Sequence, residues 1–181
     1  MEPRQIEIYD TTLRDGAQGE GISFSLEDRL NIAQKLCKLG IAFLEAGNPG
    51  SNPKDLEFFR RAGELDLGET QLVAFGSTRK KDAAAETDEG CAALLSAGTE
   101  WVAVFGKSWD LHVRDVLRTT PEENLRMIRD TVSFLKGKGR KVVFDAEHFF
   151  DGYKSSPDFA RQAVLAARDA GADRIVLCDT N

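Results

Sequence analysis

Short apolar runs alternate along the chain with longer segments whose apolar positions recur every three or four residues. The runs Ile6–Tyr9, Ile41–Ala46, Gln71–Phe75, Trp101–Phe105, Lys141–Asp145 and Arg174–Cys178 are too short for helices, and most of their positions are apolar on both faces. Strands of that kind belong to a parallel sheet covered by helices. The intervening segments carry their own boundary signals. Ser25, with Asp28 three positions on, predicts a capping box and a helix over Leu26–Leu39. Asn52-Pro53 predicts a helix to about Leu65, and Asp88 to Ala97 a shorter one. Thr120-Pro121 and Ser156-Pro157 place proline at the first helical position of helices reaching about Lys136 and Ala170. Gly40, Gly98 and Gly171 follow three helix ends, where a left-handed C-terminal turn favours glycine. The pattern repeats at roughly the thirty-residue spacing of a βα unit.

Alternating strands and helices fit either an open doubly wound sheet or a closed barrel. The polar residues favour the barrel. They follow every strand: Asp10, Thr12, Arg14 and Asp15; Glu45 and Asn48; Ser77 and Arg79; Lys107, Ser108, Asp110 and His112; Asp145, Glu147 and His148; Asp179, Thr180 and Asn181. A barrel gathers strand-end residues from all sides around one centre, whereas an open sheet concentrates them at one switch point. The expected fold is therefore α/β, a TIM (β/α)8 barrel truncated after about six strands. Residues 1–181 are read as the N-terminal three-quarters of one barrel domain, with the remaining strands and any further domain beyond them.

A net charge of -6, with acidic and basic residues interspersed, gives no stripe that would follow a phosphate backbone, so nucleic acid is not an expected partner. The first residues hold no apolar signal core, and no stretch approaches the roughly eighteen apolar residues of a membrane span. A cytoplasmic protein is expected. Cys37, Cys91 and Cys178 are odd in number and widely spaced, which suits buried thiols rather than disulfides or a zinc site. Trp101 and the pair Phe149-Phe150 read as core packing, and Arg79-Lys80-Lys81 as a solvated loop with a ligand phosphate as the alternative contact.

The most informative stretch is Asp10-Thr11-Thr12-Leu13-Arg14-Asp15-Gly16-Ala17-Gln18, directly after an apolar strand. A carboxylate there can bind a hard cation, and the neighbouring guanidinium can polarise a carbonyl; a salt-bridged turn is the alternative. The segment resembles the signature of the metal-dependent acyltransferase and lyase barrels that include 2-isopropylmalate, homocitrate and citramalate synthases and hydroxymethylglutaryl-CoA lyase. The likeness continues through Phe43-Leu44-Glu45-Ala46-Gly47-Asn48-Pro49, Gly106 to Val113 and Leu117 to Asn124. Phe144 to Lys154 and Leu177 to Asn181 resemble the citramalate synthase branch most.

The resemblance implies a Claisen-type condensation of acetyl-CoA with pyruvate, or with another 2-oxo acid as in the isopropylmalate and homocitrate branches. It assigns activation of the 2-oxo acid carbonyl to Arg14 and a divalent metal (Mg, Mn, Zn or Co) to Asp15, with Gln18 as a nearby polar contact and Glu45 and His112 lining the substrate pocket. Glu147 takes acid/base or water-positioning work, against the alternative of a supporting ion pair. Asp145 either shapes the pocket or bonds Arg14 or another cation. Thr180 either donates to the substrate carboxylate or caps a strand end. His148 reads as structural. A homodimer is usual for this resemblance. The His-x-His pair that completes the family's metal site occurs nowhere in the sequence. Weak or absent catalysis by this chain alone is therefore expected, and a self-associating fragment acting as a scaffold is the reading from another class.

Overall fold

The computed structural model describes residues 6–180. Among them six strands form one parallel sheet in the order β1-β2-β3-β4-β5-β6: Tyr9–Asp10, Phe43–Glu45, Gln71–Ser77, Trp101–Lys107, Lys141–Glu147 and Arg174–Leu177. An uninterrupted sequential order has no switch point, so this is the wall of a barrel and not a doubly wound sheet. The helices are α1 (Leu26–Lys38), α2 (Pro53–Ala62), α3 (Glu89–Ser96), α4 (Asp110–Asp115), α5 (Pro121–Gly137), α6 (Phe149–Ser155) and α7 (Pro157–Asp169).

Helix starts follow the side chains that satisfy their free N–H groups. The Ser25–Asp28 capping box forms in both directions, while Asn52, Asp88 and Thr120 accept from the backbone N–H groups of Lys54, Cys91 and Glu123. Gly40 and Gly98 turn the chain with φ near 75° and 72°. Several boundaries differ from expectation. β1 is confined to Tyr9–Asp10, paired among the described residues with β2, and Ile6 and Ile8 stand 86% and 58% exposed. Strands β3, β4 and β5 each run two residues further than the apolar runs, carrying Ser77, Lys107 and Glu147 into the ladder. Helices α4 and α6 escape the sequence reading since neither has a side-chain cap: α4 follows Trp109, and α6 follows His148 in a left-handed conformation at φ 52°.

Alternation along the strands separates two apolar layers. Leu44, Ala74, Val102, Val104, Val142, Phe144 and Ala146 face the helices and pack on Phe58, Leu94, Ile128 and Ala163. Phe43, Val73, Trp101, Ala103 and Val143 fill the opposite, inner face together with Tyr9, Phe75 and Val176. Helix α6 lies so close to the β4–α4 turn that a Cβ on Gly152 would collide with the backbone of Ser108.

Two expectations are corrected. Arg79 is not in a solvated loop: it is buried, with Nη2 2.7 Å from Asp130 Oδ2 and Nη1 2.9 Å from Glu123 Oε1, tying the β3–α3 loop to α5. Phe150 is not core, being 41% exposed, whereas Trp101 is buried and Phe149 packs against the helix-side layer. Among the described residues no helix is long and apolar enough to cross a membrane.

Candidate active site

The inner-face parity that points Phe43 and Val143 into the barrel also points Glu45, Lys107, Asp145 and Glu147 there, at the carboxyl ends of their strands. The β1–α1 loop closes over this end. Its turn is fixed by the N–H groups of Arg14, Asp15 and Gly16, all donating to the Thr11 carbonyl, and by Leu13, which is buried. Arg14 is thereby placed 4.0 Å above the centre of the Phe75 ring. Its Nε donates to Glu45 Oε1 at 2.5 Å, and its Nη1 to Asp15 Oδ1 at 2.9 Å.

Glu45 is fully buried, and its second oxygen accepts from the Tyr9 hydroxyl at 2.6 Å. Both oxygens are thus engaged by the protein, so Glu45 orients Arg14 from beneath. Burial raises the Glu45 pKa, against the opposing pull of Arg14 and Tyr9. The Tyr9 phenol is driven far up by burial and by Glu45, and stays a hydrogen-bond donor. Asp145, 8% exposed, has an Oδ1 atom without a hydrogen-bond partner among the described residues. Burial first, then the charge of Glu45, pushes its carboxyl up to about 7, Arg14 pulling the other way. The expected alternative of a bond from Arg14 to Asp145 is absent among the described residues.

Glu147 forms an ion pair with Lys107, the register neighbour that β4 supplies. The Ser108 hydroxyl donates to the Glu147 carbonyl at 2.6 Å, and Asn124 Nδ2 to the Lys107 carbonyl at 2.9 Å, so this pair is held from both sides. Beside it, His112 lies 4.7 Å from both Trp109 and His148, ring centre to ring centre. Burial, then His148 and Lys107, lower the His112 pKa and favour the neutral ring. The His148 N–H donates to Thr180 Oγ1 at 3.1 Å and its ring approaches Asp151. Thr180 accordingly caps the β5–α6 turn. Gln18 is exposed in a short 3-10 turn, bonded through its N–H to the Asp15 carbonyl.

Asp15 is open to solvent, its side chain 64% exposed. Among the described residues no group of three or more His, Cys, Asp or Glu side chains could hold a metal ion. The described residues do not by themselves make a metal site.

Sequence reasoning missed three contributors. Tyr9 and Phe75 look like ordinary strand residues, although each is an inward position at a strand's carboxyl end. The third is a buried clamp beneath the β2–α2 loop. Arg29 on α1 donates Nη1 to Asp55 Oδ1 at 2.7 Å and Nη2 to the Ala46 carbonyl, while Asp55 Oδ2 accepts from the Asn48 N–H at 2.6 Å. Gly47 crosses the clamp at φ 148°, where a Cβ would come within 2.5 Å of Asp55 Oδ2. A cavity of about 830 Å³ opens at the opposite end of the sheet, beside Glu7, Trp101 and Lys141. The titratable cluster lies away from it, at the end where barrel enzymes carry their chemistry.

A parallel barrel wall with a guanidinium held over buried carboxylates at the strand ends defines the class, a TIM-barrel fold. The HMGL-like family pattern matches residues 5–181, and the chain belongs to that family. It is 56% identical over 174 residues to an (R)-citramalate synthase of Synechocystis, covering 96% of this chain and 32% of that protein. It is 54% identical over 177 residues to an (R)-citramalate synthase of Aquifex aeolicus, covering 98% of this chain and 34% of that protein. A probable 2-isopropylmalate synthase of Ignicoccus hospitalis is 37% identical over 178 residues, covering 98% and 42%. The hydroxymethylglutaryl-CoA lyase structure from Pseudomonas aeruginosa superposes with a TM-score of 0.76 at 18% identity, covering 98% of this chain and 59% of that one, a likeness of fold. The chain spans about a third of the length of the curated citramalate synthases it matches.

Proposed function

We propose that this chain supplies part of the catalytic barrel of an enzyme that condenses acetyl-CoA with pyruvate to form citramalate and free CoA. The observation that carries the reading is the identity above one half to (R)-citramalate synthases over nearly the whole chain, well above that to the isopropylmalate relative. In the reaction the methyl carbon of acetyl-CoA loses a proton and bonds to the pyruvate carbonyl carbon. The carbonyl oxygen becomes an alkoxide and takes up a proton, and water then cleaves the thioester. Arg14 is suited to the growing oxygen charge because Glu45 and Phe75 fix its plane before substrate arrives. Glu147 serves in proton transfer or water positioning, with Lys107 as its ion-pair partner. Thr180 and Gln18 supply neutral contacts to the 2-oxo acid, and His112 a neutral wall.

Asp15 would contribute to holding a divalent metal, completed by residues outside this chain. Acetyl-CoA is the co-substrate of a cytoplasmic homo-oligomer that acts in branched-chain amino-acid synthesis. Calorimetric titration of pyruvate, with manganese present, into the chain and into Arg14→Ala tests the site, followed by thiol release from acetyl-CoA. Pyruvate binding that disappears in Arg14→Ala supports the reading. Equal binding by both proteins, or preference for a bulkier 2-oxo acid, refutes it.

A further inference from the structure

The inner face at the strand ends holds more acids than bases, and the surplus has an address. Arg14 is engaged by Glu45 and Asp15, and Lys107 by Glu147. Asp145 remains, buried between β4 and β6 opposite Phe105 and Val176, which bring no charge. The other groups facing it are Glu45 from β2, Glu147 from its own strand and Arg14 from the β1–α1 loop. Tyr9 from β1 and Cys178 after β6 complete the surroundings. Tyr9 is a neutral phenol, and the Cys178 thiol is pushed up to about 12 by burial and then by these carboxylates. Neither offsets a negative charge. Ionising Asp145 would set a further anion against a guanidinium already shared by two carboxylates, and would leave its buried Oδ1 without a donor.

We propose that Asp145 is held as the neutral acid and donates its O–H to the carboxylate of a bound 2-oxo acid, so that anion binding is coupled to one proton on this residue. This deepens the function proposed above and rests on it. The same carboxyl that repels an anion when ionised becomes its hydrogen-bond donor when protonated, which resolves the oddity of an acidic residue in a pocket for an acid. The proton comes from solvent: above the Asp145 transition, each ligand bound takes one up.

The test uses the full chain and pyruvate as the probe, titrated calorimetrically from pH 6 to 9 in wild type, Asp145→Asn and Asp145→Ala. With the transition near 7, wild-type affinity is expected to fall about 100-fold across that range as the competent fraction shrinks. Asp145→Asn, a permanent neutral donor, is expected to bind with no such slope, and Asp145→Ala to bind weakly throughout. A readout without ligand accompanies these: the Asp145 side-chain carbon resonance, assigned by its loss in Asp145→Asn, is expected to titrate near neutrality. A resonance that titrates with the surface aspartates overturns the proposal even if the Ala variant fails to fold. Pyruvate binding that is flat with pH in wild type also overturns it, while leaving the substrate reading intact. No pyruvate binding at any pH removes the ligand step together with the substrate reading, and is recognisable because Asp145 then titrates near neutrality without any ligand-linked proton.

Discussion

Replacing Asp55 with alanine tests whether the loop beside Glu45 depends on the buried clamp. Two losses coincide. The Arg29 guanidinium, with Arg29 8% exposed, is left facing the Ala46 carbonyl and the Phe58 ring without a counter-charge. The Asn48 N–H also loses its acceptor. Stranding one partner of a buried ion pair costs about 3–5 kcal/mol, and an unsatisfied backbone donor about 1–3 kcal/mol more, with partial overlap because the loop can relax. A loss of at least about 3 kcal/mol is expected, a large share of the stability of an ordinary domain. In urea, with a slope of about 2 kcal/mol per molar, the midpoint should fall by roughly 1.5 M. Asp55→Asn keeps an acceptor for Asn48 but not the charge, and should fall between wild type and Asp55→Ala. Arg29→Met combined with Asp55→Leu removes both charges yet strands the Ala46 carbonyl and the Asn48 N–H, so it should recover only part of the loss. A midpoint shift in Asp55→Ala worth less than about 1 kcal/mol would refute the reasoning, since it would mean that water or a rearranged loop compensates Arg29.

Gly152→Ala should destabilise by about 1–3 kcal/mol, because the new methyl meets the Ser108 backbone and α6 must move off the β4–α4 turn; a thermal melt unchanged from wild type would show that the helix gives way freely. Asp145 also leaves a stability signature: its folded carboxyl titrates near 7, above its ordinary value near 3.8, so the native state keeps a proton that the unfolded chain releases. Its contribution is therefore full below about pH 4, is lost as pH climbs to about 7, and amounts to at most roughly 4 kcal/mol. Urea melts from pH 4 to 8 should show Asp145→Asn gaining on wild type across that window, and parallel curves would contradict the sign. Cys91, buried and pushed up to about 12, should resist a thiol reagent until the protein unfolds; rapid labelling in native buffer would mean that α3 opens readily.

The alternation of strands and helices was readable because each level agreed with the next: capping residues, apolar period and glycine stops all marked the same boundaries. The two short helices α4 and α6 were hidden because they begin without a side-chain cap, and His148 adopts a conformation that no local sequence rule requires. The site was half legible. Arg14, Asp145 and Glu147 stand at strand ends, where polarity interrupts an apolar run and attracts notice. Arg29 and Asp55 were missed for the opposite reason, since a charged residue on an amphipathic helix reads as solvated until its partner is found 26 positions away. Arg79 misled in the same manner, its burial depending on acids from α5 that are remote in sequence.

The strictly consecutive strand order has a kinetic corollary. Among the described residues each strand pairs in the ladder only with its neighbours in chain order, while the Arg174 side chain of β6 reaches Glu7 ahead of β1, so the ladder itself behaves as a linear array whose ends can open without disturbing the middle. Strand β4 lies between two of the longest ladders, those with β3 and β5, whereas β1 is joined to β2 at only Tyr9 and Asp10. Amide hydrogen exchange should therefore be slowest in β4 and quicken toward β1. Arg14 hangs from that fast-opening end, so the residue the proposed chemistry needs most is carried by the segment that detaches first.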